Sequence, residues 1–337
     1  MNVVEGMRRA RLKGEPEAEA AYYHCISRIV DRRFVLEARE KEIFVRMMRG
    51  YEAYCGVRII TFCVMSNHFH ILLEVPRRPL KELLPSDAEL VERLREAQCS
   101  YGASTLEQRL EMLRTSGDHQ RAEELRERFF STMWDVSYFM RVLKQRFSQW
   151  YNGAHDRKGT LWEERFRSVL VEADVALQVV ACYIDLNPVR AGLVADPKEY
   201  RWCGYAEAVA GVKQSREAIA FAMMGFTTSL SSIAKRLAAY RCQLFEAGGI
   251  STGNEASGKK RRGFSARQIE SVRMTGGKLG VGEALHCRIR HFTEGLVLGS
   301  VEFVETHFQR YRDRFSAYRT SGARPIECMA AFDLHSF

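Results

Sequence analysis

Two histidines stand one residue apart in CVMSNHFHILLEV, residues 63–75. In a strand, side chains at i and i+2 leave the same face. His68 and His70 would therefore project together, and Phe69 the other way. Two imidazoles so placed can share one divalent ion. Two ligands do not complete a site, since zinc enzymes commonly add a third histidine or a carboxylate. A Mg²⁺ or Mn²⁺ site would instead leave positions open for a phosphate. A pair of hydrogen-bonded histidines beside a turn has the same spacing. The apolar residues that follow, Leu72, Leu73 and Val75, speak for a central, buried strand, whose histidines then face the sheet's interior surface or a cleft.

A second constellation lies in VVACYIDLNPVRAGLV, residues 179–194. Tyr183 and Asn187 are four residues apart, a spacing that shares one helix face. The pair offers a phenol and an amide oxygen. Asn187 precedes Pro188, and a residue before proline is pushed out of the helical region. Asn187 is thus expected in the last, distorted turn of its helix.

These groups need elements to hold them. AYYHCISRIV (21–30) is rich in aromatic and β-branched residues and reads as a strand. Residues 38–56 place Ile43, Phe44, Met47, Met48 and Tyr51 at helical spacing, closed by Gly56. VRIITFCVM (57–65) and HFHILLEV (68–75) are two strands around a short polar turn. Pro76 and Pro79 mark a break. From about 80 to 130 the chain is strongly charged, with ELVERLREAQ and HQRAEELRERFF as exposed helices of an insertion. Residues 134–152 form an amphipathic helix with Arg141, Lys144 and Arg146 among aromatics that include Trp150 and Tyr151. RSVLVE (167–172) is a strand, and residues 173–187 an apolar helix. The order β-α-β-β-α-β-α is that of a ferredoxin-like split core plus one more helix. It predicts an α+β fold whose antiparallel sheet carries helices on one face.

The remainder divides by composition. Residues 1–19 are charged and read as a mobile arm, 20–212 as the domain bearing both constellations, and 213–337 as a mainly helical accessory region. A Gly/Ser-rich and then basic stretch at about 248–263, ending near the KKRR run, has the character of a linker. The 337 residues carry 51 Lys+Arg against 42 Asp+Glu, a net charge of +9 that suits a polyanionic partner. The nine cysteines are odd in number, scattered and never spaced C-x-x-C, which argues against a disulfide framework or a zinc ribbon. No signal-peptide core and no 18-residue apolar run occurs, so a soluble, cytoplasmic protein without membrane partners is expected.

Taken together and in this order, YYHCISR, FCVMSNHFHILLEVP, GTLWEERFRSVLVE and CYIDLNPVRAGLV resemble the REP-associated tyrosine transposases. These are a branch of the single-tyrosine HUH transposases of small bacterial insertion sequences. The resemblance covers roughly residues 20 to 210. It implies that His68, His70 and Asn187 are the ligands of Mg²⁺ or Mn²⁺ and that Tyr183 is the nucleophile. It further implies nicking and rejoining of single-stranded or hairpin DNA through a 5′-phosphotyrosine. Arg141, Lys144, Arg146, Arg165, Arg167 and Arg190 are the basic residues available to contact such a strand. The family includes dimers that exchange a tyrosine helix as well as monomers, so either state is implied. The insertion at 80–130 and the region beyond 212 depart from the family pattern. Two other readings remain open: a relative that binds hairpins without cutting, and a zinc hydrolase that draws in Glu163 or Glu164.

Overall fold

The computed structural model describes residues 12–97, 100–224, 232–249, 263–264, 295–314, 321–322, 324–325 and 332–335. β1 (Ala20–Arg28) leads into α1 (Ala38–Cys55), then β2 (Arg58–Val64) and β3 (His68–Pro76). Before α1, Glu37 and Glu40 form a reciprocal cap, each side chain meeting the other's backbone N–H. After it, Gly56 turns left-handed at φ 64°. A side chain there would also collide with Trp134, so only glycine closes this helix cleanly.

α5 (Val136–Ala154) follows the insertion, then β4 (Arg167–Val171) and α6 (Val175–Asp185). The strands order as β2-β3-β1-β4, with β3 antiparallel to both its neighbours. β1 and β2 therefore run parallel, with β3 inserted between them, as the split order requires. The α+β class and its antiparallel core are as expected.

Helices cover both faces of the sheet, not one. Tyr23, Cys25, Phe62, Phe69, Ile71 and Leu73 bury against Phe44 and Met48 of α1 and Phe139, Leu143 and Phe147 of α5. Ile60, Cys63, Leu72, Val169 and Val171 bury against α6 and against Tyr205, Ile219, Tyr240 and Leu244 beyond it. Those four belong to α8 (Gly204–Val209), α9 (Lys213–Ala222) and α10 (Ile233–Ala247). The physical reason lies in β2 and β3, whose alternate residues are apolar on both sides, so neither face could be left to water.

The insertion holds three helices, α2 (Asp87–Glu96), α3 (Ser100–Thr115) and α4 (His119–Phe130). Their outer faces are charged, but Leu90, Leu94, Leu106, Leu110 and Phe130 join the α1/α5 core. Gly50 of α1 lets the Glu96 carbonyl approach where a Cβ would clash.

Beyond the core the sheet continues. β5 (Gly295–Gly299) pairs parallel with β4, and β7 (Phe332–His335) and β6 (Arg324–Pro325) extend it to seven strands. α11 (Val301–Arg310) caps this edge, its Ser300 N-cap accepting from Phe303 N. The accessory region thus adds strands as well as helices. Residues 12–19 are not a mobile arm: Leu12 is buried, Gly14 N donates to Tyr23 Oη at 2.9 Å, and Lys13 N donates to Tyr311 Oη at 2.8 Å. The rest of that arm and the KKRR run lie outside the described residues. The six described cysteines are all free, and no helix among the described residues is long and apolar enough to cross a membrane.

Candidate functional site

The β1–β3 register sets the site. His70 lies opposite Ile26, and His68 opposite Arg28, at the end where β1 leaves the sheet. The two imidazoles share a face, with ring centroids 5.1 Å apart and planes at 84°.

The amide of Asn67 fixes the proton on His68. Asn67 Nδ2 donates to the Arg32 carbonyl at 3.1 Å, so its Oδ1 faces the imidazole, 2.6 Å from His68 Nδ1. An amide oxygen only accepts, so Nδ1 carries the hydrogen and Nε2 presents its lone pair. His70 Nδ1 meets His24 Nε2 at 2.9 Å, with His24 and His70 both buried. One proton serves that contact; with it on His70 Nδ1, His70 also presents Nε2 as a lone pair.

Both histidines are held neutral. Burial pulls His68 down to about 4, with the Arg28 charge adding to the effect. Burial drives His70 well below the usual imidazole range, helped by His68, His24, Arg28 and Arg190. At neutral pH neither lone pair is lost to a proton.

Tyr183 reaches this cluster from α6. Its ring centroid is 5.8 Å from that of His70 and 6.2 Å from that of His24, edge-on to both. Burial raises its pKa, and the charges of Arg190 and Arg28 oppose that rise. The Arg190 guanidinium sits 4.9 Å from the Tyr183 ring centroid, and its Nη1 donates to the Tyr183 carbonyl at 3.3 Å.

Asn187 is one turn further. α6 ends at Asp185, and Asn187 opens a four-residue helix, α7 (Asn187–Arg190), with Pro188 in its first turn. Leu186 at the junction keeps near-helical angles, φ −84° and ψ −6°. The Tyr183–Asn187 face therefore survives the proline. Asn187 Nδ2 donates to the carbonyls of Tyr183 and Ile184 at 3.2 and 3.1 Å, which leaves the amide oxygen as the group to offer a ligand.

Behind the tyrosine, Asp185 pins α6 in place. Its carboxyl accepts from Tyr240 Oη at 2.6 Å, Thr61 Oγ1 at 2.8 Å and Tyr205 N at 3.2 Å. Complete burial raises it to about 7, against the pull of those three donors.

A divalent ion can be tested against these donors. Two neutral imidazoles and one amide oxygen offer lone pairs and no charge of their own; the imidazoles are borderline ligands, the amide oxygen is a hard one, and the charge of a divalent ion held by them would be left for phosphate oxygens to balance. Among the described residues no three His, Cys, Asp or Glu side chains are grouped to hold a metal, so Glu163 and Glu164 do not complete a zinc site with the histidines.

The basic residues separate. Arg141, Lys144 and Arg165 line a cavity of about 730 Å³ with Tyr138 and Trp162. Arg165 and Arg167 line a second cleft, of about 80 Å³, with Arg28 and Arg32. Arg190 stands at the tyrosine, and Arg146 lines neither cavity. Lys144 is largely buried, and its ammonium donates to the Glu164 carbonyl at 2.8 Å. It pins the 163–165 segment. Tyr151, among the aromatics of α5, is buried, packed on Phe147 and His155.

Sequence reasoning missed His24, Asn67, Arg28 and Arg32. YYHCISR does carry the alternation that sets His24 apart from Tyr23 and Cys25. Which face the histidine takes depends on pairing with β3, and that lies outside a single strand's pattern.

Residues 17–83 match the family model described as "Transposase IS200 like". That segment spans β1 through β3 and holds His24, Asn67, His68 and His70, so this part of the chain is similar to the transposases its motifs resemble. A solved REP-associated tyrosine transposase bound to a REP hairpin aligns over 62% of this chain and 87% of its own, at 14% identity and a TM-score of 0.36. No curated protein matches the chain.

Proposed function

We propose that this protein is a metal-dependent single-stranded DNA endonuclease and strand transferase, a transposase that acts on hairpin-containing repeats. The observation that carries the reading is one cluster: the neutral histidines His68 and His70 side by side on one face, with the His70 ring edge-on to that of Tyr183. The match of residues 17–83 to IS200-like transposases supports it from the sequence side.

In this reading His68, His70 and the Asn187 amide oxygen hold Mg²⁺ or Mn²⁺. When bound, such an ion supplies Lewis-acid polarisation of a phosphate. The protein's own groups do the rest. The Tyr183 oxygen attacks the scissile phosphorus, the bond from phosphorus to the 3′-oxygen breaks, and the 5′-phosphate stays on the tyrosine. The phenol proton leaves to solvent, and the departing 3′-oxygen takes one up. A buried phenol resists ionisation, and the Arg190 and Arg28 charges work against that resistance. The covalent ester keeps the phosphodiester energy, so a 3′-hydroxyl can reverse the step and join strands without ATP.

The test is a denaturing gel with labelled single-stranded hairpins from repeats flanking the gene, in Mn²⁺, comparing wild type with Tyr183→Phe. A covalent protein–DNA band is expected from wild type alone, with hairpin binding kept by the variant. Binding without any band in wild type would make the chain a hairpin-binding protein and end the transposase reading.

A further inference from the structure

Four arginines converge beside the histidines and, among the described residues, have nothing to hold. Arg28 ends β1, Arg32 follows in the next turn, Arg165 precedes β4 and Arg167 begins it. All four line the cleft of about 80 Å³ and all are exposed. Among the described residues their guanidinium groups make no hydrogen bond and no ion pair. Glu163 and Glu164 line the same cleft and pair with none of them, so four positive charges face two negative ones. Arginines are ordinarily spent on nearby carboxylates, and leaving four free in one concavity costs mutual repulsion that an anion would relieve.

The cleft is built, not a chance meeting of long side chains. Asp31 and Arg32 both adopt left-handed backbone angles, φ 57° and 53°, a rare choice for residues other than glycine. The turn is held by Arg32 N donating to Ile29 O at 3.0 Å and by Asn67 Nδ2 donating to Arg32 O. The opposite wall is tied on by Val30 N to Leu161 O at 3.0 Å and Glu163 N to Arg28 O at 2.9 Å. The same Asn67 amide that fixes the His68 proton therefore also fixes Arg32, and Arg28 faces His68 across the ladder. Cleft and histidines are set in register by one side chain and one strand pair.

We propose that this cleft seats a backbone phosphodiester of single-stranded DNA, the one flanking the phosphate that Tyr183 attacks. The assignment rests on the function proposed above for its place in the reaction, but not for the anion it binds. Guanidinium groups fork onto phosphate oxygens. A phosphate held here would fix the strand's register relative to the histidines without reading a base.

The experiment titrates fluorescein-labelled oligo(dT) into the full chain over a salt series. Wild type is compared with Arg28→Ala/Arg32→Ala, with Arg165→Ala/Arg167→Ala, and with Arg109→Ala on α3 as a control. Melting curves confirm that each variant is folded; the substituted side chains are exposed, so two independent pairs guard against a local defect in either. Each double variant is expected to bind about tenfold more weakly at low salt. Each should also lower the slope of log K against log salt by about 0.7, the value for one single-strand phosphate contact. Uncharged methylphosphonates are then placed one at a time along a flanking-repeat hairpin. One position should weaken wild-type binding and be silent in the double variants. Unchanged affinity and slope in both pairs, no binding of oligo(dT) by wild type, or the same methylphosphonate penalty in wild type and variants would each overturn the cleft. Covalent band formation on the same strands separates the two claims. A band with the arginine variants unaltered in binding keeps Tyr183 and discards the cleft. A changed slope with no band from any strand keeps the cleft and discards the nucleophile.

Discussion

The two faces of β1 and β3 are made from alternate residues of the same strands, yet they carry opposite chemistry. On one, Phe69 packs on Phe44 at 4.6 Å and on Trp162 at 5.4 Å, within a layer of aromatics and aliphatics. On the other, His70 meets His24 and the Tyr183 ring, with Asp185 buried behind them. The first face needs mainly shape and volume. The second holds its reactive groups through named partners, because a buried donor or acceptor left alone is costly. One face therefore anchors the sheet so that the other can hold reactive groups at fixed spacing.

Substitution of neighbouring residues on β3 should break this division most sharply. His70→Ala is expected to abolish the covalent DNA band while the protein still folds. Phe69→Ala should do the reverse, costing about 3–5 kcal/mol of stability as a large buried ring is lost, with the surviving folded fraction still active. Chemical denaturation and the gel assay, run on both variants, read the two outcomes. Equal loss of activity per folded molecule in both would erase the distinction between the faces.

Asp185 gives a pH test of the polar face. Its folded pKa, about 7, lies above that of an unfolded aspartate. The unfolded chain therefore loses its proton first, and stability present at acid pH falls as pH rises from about 4 to about 7. The loss amounts to about 4 kcal/mol at most, from a shift of about three units. Asp185→Asn keeps acceptors for Thr61 and Tyr205 and should flatten the fall, leaving the variant more stable than wild type at pH 8. Melting temperature against pH, measured for both, would expose an error if the two curves stayed parallel.

The smallest effect belongs to a polar link within the aromatic face. Trp162 Nε1 donates to Ser148 Oγ at 2.8 Å. Trp162→Phe keeps most of the ring packing and should cost about 1 kcal/mol for the lost hydrogen bond, plus a little for volume. Urea unfolding would detect it; a loss as large as that of Phe69→Ala would show that Trp162 does more than pack.

Much of this was readable in the chain. Period-two spacing put His68 and His70 on one face, and period-3.6 spacing put Tyr183 with Asn187, because both rules act between close neighbours in sequence and Leu186 keeps near-helical angles across the α6–α7 junction. The β-α-β-β-α-β order followed from runs long enough to show their own periodicity. What escaped depends on contacts distant in sequence. His24 becomes a partner of His70 only through the β1–β3 register. The second helical layer needs α8, α9 and α10 to fold back over β2, and β5 joins β4 in parallel after a long excursion. The turn at Asp31 and Arg32 carries no glycine to announce its left-handed backbone.

The place of β3 between β1 and β2 makes the sheet a reading frame with a period of two. Ser66 and Asn67 separate Val64 and Met65 from His68, and Met65 N bonds to His68 O at 2.8 Å to close that turn. Deleting one residue there would turn every side chain of β3 over, sending imidazoles into the aromatic layer and Phe69 toward the tyrosine. A strand in this position can absorb a changed side chain far more readily than a changed length.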